Sequence, residues 1–469
     1  MNMNLSFHGA ARTVTGSKHL IELKNGKQIL LDCGMFQGMG KQTDELNANF
    51  GFDPAKITYM FLSHAHIDHS GLIPKLIKEG YQGKIFCTAG TKDLAAILLR
   101  DSAKIQMDDA KYFNKRRAKQ HLPPIEALYD DVDAENAIPH LTAVDYDKWV
   151  RIDDQIEVQF IDAGHIIGSA SVHVRITEEG KTEQISFSGD VGRYRDIILR
   201  SPGTFSQADY IIIESTYGNS LHDDVFNTPD QLLGFVKKTC VEKKGKLIIP
   251  AFSVGRTQEL VYFLNQLYNE KQLPNIPVYV DSPLSREATK VTAAHQEGFN
   301  KRIRKMMEVD EDPFDFPGLH FIQSVEESKA LNDNPNPMVI ISASGMADAG
   351  RVQHHILNNI LDPKNTILIV GYCEPHSLGG RLMRGASEVR IYGDEYEVKA
   401  EVGVMRSMSA HGDYDDLSQF LACQDPAHVK MLFIVHGEYD VQQDFQRSLQ
   451  KKGYKEVYIP DMHERFVLQ

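Results

Sequence analysis

The stretch Ile57-Thr58-Tyr59-Met60-Phe61-Leu62-Ser63-His64-Ala65-His66-Ile67-Asp68-His69 decides the reading of this chain. Its first six residues are a largely apolar run that reads as a buried strand, and Gly71-Leu72-Ile73-Pro74-Lys75-Leu76-Ile77 reads as the start of a helix. Three imidazoles and a carboxylate therefore crowd one strand-to-helix loop, where a rigid frame commonly holds functional groups. Imidazole nitrogen and carboxylate oxygen suit zinc and other first-row divalent ions, with bonds of about 2.0 to 2.2 Å. Ligands alternating along a short turn can serve two ions at once. A solvated polar loop is the ordinary setting of a single loop histidine, but it accounts poorly for the spacing HxHxDH.

Working outward, other strand ends carry further groups of the same kind. Residues 19–23 and 28–32 flank Lys24-Asn25-Gly26-Lys27, a hairpin signal in which Asn-Gly supplies the positive φ angles of a type I′ turn. The second strand of that hairpin delivers Asp32 to its carboxyl end. Runs at 156–161, 184–187 and 210–213 lead into His165, Asp190 and Glu214, so these groups are expected to gather on one edge of a sheet. From about 95 to 150 the chain is charged and helical in character, including Lys111-Tyr112-Phe113-Asn114-Lys115-Arg116-Arg117; this reads as a solvated helical excursion in preference to a binding patch.

Beyond Glu214 the rhythm becomes strand, helix, strand, helix. The short apolar runs 246–250, 277–280, 338–341 and 366–370 predict a parallel sheet covered on both faces, hence a second domain. The run 430–435, ending at His436, and a late strand near Tyr454 return to the pattern of the first part, as a domain inserted within another would produce.

Composition sets outer limits. The 469 residues exceed a single core, and 42% hydrophobic with 25% charged residues describes an ordinary globular protein with no stretch apolar enough to span a bilayer. The first eight residues have neither a basic nor an apolar region of a secretory leader, and the five cysteines show no C-x-x-C spacing. A reducing cytoplasm is the expected location. The formal charge of -13 argues against a general nucleic-acid coat, although phosphate needs only a local positive site.

Asp32, the 64–69 cluster, His165 in Asp162-Ala163-Gly164-His165-Ile166-Ile167-Gly168-Ser169-Ala170 and Asp190 in Phe187-Ser188-Gly189-Asp190 resemble the four motifs of the metallo-β-lactamase fold, in order. Five further segments resemble the β-CASP family: Glu214-Ser215-Thr216-Tyr217-Gly218, Pro250 to Gln258, Asp281-Ser282-Pro283-Leu284, Ser342-Ala343-Ser344-Gly345-Met346 and Ser409-Ala410-His411-Gly412-Asp413-Tyr414. The likeness covers nearly the whole chain and is greatest to the RNA-processing branch, which includes the endonuclease subunit of the pre-mRNA 3′-end cleavage complex and bacterial ribonucleases. It implies an α/β fold, a metallo-β-lactamase αββα sandwich with an inserted β-CASP domain. The expected divisions are 1–216, 217–395 for the insertion, and 396–469 for the return segment.

The resemblance also implies two Zn2+ ions and a ligand set. His64, His66 and His165 would hold one ion, Asp68, His69 and His411 the other, with Asp190 between them and Asp32 orienting a ligating imidazole. Asp68 counts as a catalytic group as well as a ligand. Zinc lowers the pKa of bound water toward about 7, so hydrolysis of a phosphodiester is the expected reaction. Glu214 would orient the nucleophile or a proton-shuttling partner. Arg256, the backbone following Ser344 and Gly345, Arg351 and His436 are candidates for RNA binding, Arg256 because its planar fork matches phosphate.

One departure stands out. Related sequences often carry a histidine shortly after a Gly-Tyr-Cys strand end, where it could protonate the leaving oxygen together with Glu214; in Gly371-Tyr372-Cys373-Glu374-Pro375-His376-Ser377-Leu378-Gly379-Gly380-Arg381 that place falls to Arg381. Arg381 can offset charge but cannot give up a proton near neutral pH, whereas His376, five residues earlier, could act as the acid. RNA is the expected partner, no membrane is, and the oligomeric state, a homodimer included, stays open. The competing readings are a DNA nuclease of the same family, whose members typically have Val where this chain has His411, a small-molecule metallo-hydrolase, and a metal-free binding subunit.

Overall fold

Met60 and Phe61 of the strand Tyr59–Phe61 are fully buried, because the residues that lead into the histidine loop form the middle of a sheet. In the computed structural model, residues 3–223, 227–371 and 373–468 are described, so Tyr372 lies outside the described residues. The first seven-stranded sheet has the order Arg465–Val467, Asn4–Phe7, His19–Glu22, Gln28–Leu31, Tyr59–Phe61, Ile85–Thr88, Leu141–Val144. The second has the order Val457–Tyr458, Met431–Ile434, Tyr210–Ile213, Lys181–Phe187, Ala170–Glu178, Ile156–Asp162, Val150–Arg151. Their inner faces meet in one apolar core, with Phe7, Leu31 and Phe61 from the first sheet against Phe160, Val172, Ile185, Ile212 and Phe433 from the second. Truncating a buried ring such as Phe61 to Ala in a core of this kind costs about 3 to 5 kcal/mol.

Helices cover the outer faces. Ala89–Lys119 packs on the first sheet at Ile85–Thr88 and Leu141–Val144, while Leu417, Phe420, Phe445 and Leu449 from two late helices cover the second. This is the expected αββα sandwich. Its compact unit comprises Met1–Tyr194, Ser201–Leu221 and His411–Gln469.

The second compact unit comprises Arg195–Arg200 and His222–Ala410. Its six-stranded sheet is parallel throughout, in the order Leu319–Phe321, Val278–Asp281, Met338–Ser342, Lys246–Pro250, Thr366–Val370, Glu401–Met405. The central strands are buried at every position, which is why they read as continuous apolar runs. This unit extends beyond residue 395 because Glu401–Met405 adds an edge strand alongside Thr366–Val370. It also takes in 195–200, where Asn300 N–H donates to Ile198 O at 2.8 Å.

One local expectation is corrected. The hairpin joining His19–Glu22 to Gln28–Leu31 is present, but only Gly26 lies at positive φ, 87°, and its N–H donates to Leu23 O at 3.0 Å. That is a turn closed by a left-handed glycine, whereas a type I′ turn needs positive φ at both Asn25 and Gly26. The positive-φ pair occurs instead at Tyr392-Gly393, between Glu388–Ile391 and Asp394–Glu397, a ribbon absent from the sequence reading. Among the described residues, no helix is long and apolar enough to cross a membrane.

Candidate metal centre

The loop after Tyr59–Phe61 is held from behind by backbone. Ser17 N–H donates to Asp68 O and Cys33 N–H to His69 O, both at 2.8 Å, and Met35 N–H donates to Ile67 O at 2.9 Å. A Cβ on Gly34 would stand 1.6 Å from Asp68 O, so only glycine allows this approach. Lys18, completely buried, ties the support together by donating to Gly16 O at 2.9 Å and Gly34 O at 2.7 Å beneath the Phe36 ring. Asp32 accepts from Ser63 N–H at 2.7 Å, from Ser63 Oγ at 2.8 Å, and pairs with His69 Nδ1 at 2.7 Å. With Nδ1 engaged outward, His69 presents Nε2 inward.

The inward atoms fall into two sets. In the first, His66 Nδ1 lies 3.2 Å from His64 Nε2 and 3.1 Å from His165 Nε2, while Asp190 Oδ2 lies 3.4 Å from His64 Nε2 and 3.5 Å from His165 Nε2. In the second, His69 Nε2 lies 3.2 Å from both His436 Nε2 and Asp190 Oδ1, and His436 Nε2 lies 3.3 Å from Asp68 Oδ2. Tetrahedral ligands at 2.0 to 2.1 Å from an ion stand about 3.3 Å from one another, so both sets have the spacing of a coordination shell. Asp190 offers one oxygen to each. Its Oδ1 is buried without a hydrogen-bond partner, and the facing imidazole nitrogens cannot all donate to one another; a cation resolves both deficits. The residues fit a metal.

Electrostatics agree with that fit in the first set, and in the second the carboxylates set up a field that favours a cation. Burial pulls His64 well below the usual histidine range and His66 down to about 4, leaving neutral rings with free lone pairs. Burial acts the same way on His69, yet Asp190 and Asp68 outweigh it and hold that ring well above its usual range. Burial pushes Asp68 up, but His69 and His436 overcome it and bring the carboxyl to about 2.

The structure brings His436, expected to bind RNA, into the second donor set, while His411 stands at its edge, grouped with Asp190 and His436. His436 follows Met431–Ile434, which pairs in parallel with Tyr210–Ile213, and its Nδ1 meets Thr216 Oγ1 at 3.1 Å, so Nε2 points to the second donor set. His411 directs Nδ1 to Glu214 Oε1 at 3.1 Å and comes no closer than 4.0 Å, through Nε2, to Asp190 Oδ2. Burial opposes protonation of His411, but Glu214 and Asp190 raise it to about 9. Glu214 is itself buried and also accepts from Val191 N–H at 2.7 Å and Thr216 N–H at 3.1 Å. The sequence signal for His436 was its position at a strand end.

In the second unit the expected RNA-binding residues are bound to protein partners. Arg256 opens the helix Arg256–Asn269 and pairs with Glu259 one turn later. Arg351 donates to Asp281 Oδ1 at 2.6 Å and to Gln323 O at 2.8 Å. Ser344 and Gly345 follow the end of Met338–Ser342, and the Phe252 ring lies against Gly345. His376 is exposed, and its N–H donates to Glu374 Oε2 at 2.7 Å. Arg381 donates to Arg390 O at 3.4 Å while its buried Nε has no partner.

Residues 15–226 match the metallo-beta-lactamase superfamily, 257–382 the Beta-Casp domain and 395–460 the Zn-dependent metallo-hydrolase RNA specificity domain. The chain belongs to the β-CASP group of the metallo-beta-lactamase superfamily. It is 35% identical over 430 residues to Ribonuclease TTHA0252 of Thermus thermophilus, covering 92% of each chain. It is 30% identical over 454 residues to Transcription termination factor FttA of Methanosarcina mazei, covering 95% of this chain and 68% of that one. Cleavage and polyadenylation specificity factor 73 of Drosophila melanogaster is 28% identical over 450 residues, 95% of this chain and 61% of that protein.

Proposed function

We propose that this protein is a metal-dependent ribonuclease that hydrolyses RNA phosphodiester bonds in RNA processing or decay. The observation that carries the reading is the donor set His64, His66, His165 and Asp190 beside the set Asp68, His69 and His436, with Asp190 Oδ1 3.2 Å from His69 Nε2, in a chain similar to a ribonuclease and to a cleavage and polyadenylation specificity factor. His64, His66, His165 and Asp190 would hold one zinc ion, and Asp68, His69, His436 and Asp190 a second. When bound, such ions generate a nucleophile from water at neutral pH and offset charge on the phosphoryl oxygens. Asp32 fixes the tautomer and tilt of His69.

Glu214 keeps His411 oriented, so that Nε2 can deliver a proton to the leaving oxygen. In this assignment His436 takes the ligand role first expected of His411. The proton-donor role moves to His411 and away from His376. Arg256, Ser344 and Gly345 remain proposed contacts to RNA and Arg381 a proposed charge-neutralising group, while Arg351 serves Asp281.

The test uses 5′- and 3′-labelled RNA and single-stranded DNA of matching sequence, with native, chelator-treated and zinc-restored protein. RNA cleavage that disappears with chelator and returns with zinc, while DNA persists, is the expected result. DNA cut as fast as RNA would move the assignment to a DNA nuclease.

A further inference from the structure

The helix Ala89–Lys119 has two halves of different character. Its buried residues end at Ala103, and from Lys104 to Lys119, about 24 Å of helix, no position is buried. The inner half is neutralised in the usual way, with Arg100 held by both carboxylate oxygens of Glu135. The outer half is not. Residues 104–121 carry six lysines and arginines against two aspartates, in a chain of net charge -13. Of these cations, Lys111 pairs with Asp108, while Lys104, Lys115, Arg116 and Lys119 have no ion-pair partner among the described residues.

The arm is built rather than frayed. The return segment is strapped to it at two points: Asn114 exchanges two 2.8 Å hydrogen bonds with the backbone of Ile125, and Arg117 Nε donates to Pro123 O at 2.6 Å. Below the strap, Tyr129 is buried and its hydroxyl donates to Ser102 Oγ at 2.7 Å. Tyr112, Lys115, Arg116 and Lys119 stand at i, i+3, i+4 and i+7, one face of the helix. Tyr112 is 67% exposed. Asp108 and Asp109 stand one turn before this ring and unpaired cations one turn after it, and an exposed ring leading into such cations suits a polyanion that also carries flat π-faces, which describes single-stranded nucleic acid better than an acidic protein surface.

We propose that this face binds single-stranded RNA, with Tyr112 stacking on a base and Lys115, Arg116 and Lys119 on successive phosphates. The helix starts beside the His165 loop, where Thr91 Oγ1 donates to Gly168 O at 2.7 Å. Lys115 lies about 36 Å further along the helix axis, so the arm engages RNA far from the reacting bond and only in long substrates. The proposal rests on the ribonuclease reading and gives its substrate a second point of attachment.

The test compares native chain with Lys115→Gln/Arg116→Gln/Lys119→Gln and, separately, Tyr112→Ala. Readouts are the Kd for long polyadenylate across a salt series and turnover of bis(p-nitrophenyl) phosphate, which is too small to reach the arm. Neutralising three phosphate contacts should reduce the slope of log K against log salt by about 2 and weaken binding at least about tenfold at moderate salt. Tyr112→Ala should weaken it about tenfold with little change in slope. Small-diester turnover should match the native chain in both variants. Unchanged Kd and slope, with native RNA cleavage intact, would overturn the arm assignment alone. A native chain that hydrolyses the small diester but neither binds nor cuts RNA would overturn the reading beneath it.

Discussion

The two compact units treat their polar side chains in opposite ways. In the sandwich unit, imidazole nitrogens and carboxylate oxygens face one another at 3.1 to 3.6 Å without enough protons to satisfy them. In the inserted unit, Arg256 has Glu259, and Arg351 has Asp281, which His355 also engages at 2.6 Å. Donor atoms that lack compensation among themselves call for a ligand, while a cation that already holds its anion is a structural element. Residue type alone therefore misleads: the same arginine fork that suits phosphate suits a buried aspartate equally well.

Removing the shared donor is the severest way to break this contrast. Asp190→Asn is expected to reduce bound metal from about two ions per chain to near zero and to abolish RNA cleavage, as read by elemental analysis and end-labelled RNA. Full metal content in that variant would mean that the two sets do not depend on Asp190. The next prediction sharpens the division between two histidines. His436→Ala should remove about one ion, whereas His411→Ala should keep its metal and lower kcat by about 10² to 10⁴, the range for losing a general acid. The reverse pattern would restore His411 as the ligand.

Arg351→Ala probes the other region. Loss of a charge-assisted hydrogen bond to buried Asp281 should cost about 1.5 to 3 kcal/mol in urea unfolding. A stability unchanged alongside weakened RNA binding would make Arg351 a substrate contact. The last prediction concerns pH dependence and Lys18, which burial lowers to about 7. Between that value and its unfolded value near 10.4 the unfolded chain binds the extra proton, so stability should rise with pH across this window. Lys18→Met should flatten that rise; an identical pH profile in the variant would show that Lys18 stays charged in the fold.

Much of the fold was legible because it follows local rules. Continuous apolar runs at 246–250 and 366–370 gave buried parallel strands, and HxHxDH places four groups on one loop where spacing alone reveals them. The relation between His411 and His436 was not legible in that way. Which of them meets Asp68 depends on the parallel pairing of Met431–Ile434 with Tyr210–Ile213, a contact across nearly half the chain. The turn at Gly26 was misread for a smaller reason, since Asn-Gly fits both a type I′ pair and a single left-handed glycine, and backbone closure decides between them. The edge strand Leu319–Phe321 is three residues long with an exposed histidine at its centre, too short and too polar to stand out.

The sandwich unit is assembled from separated pieces of chain, and this has a consequence in time. His69 and His436, 3.2 Å apart in space, are separated by 367 residues. At the usual pace of translation, roughly 5 to 20 residues per second, the ribosome needs roughly 20 to 70 s to travel from one to the other. Throughout that interval the nascent chain holds only part of its second donor set, while the messenger that encodes it lies within reach. On the proposed ligand assignment, the second metal site cannot form before His436 has been made, so the message is spared during that interval.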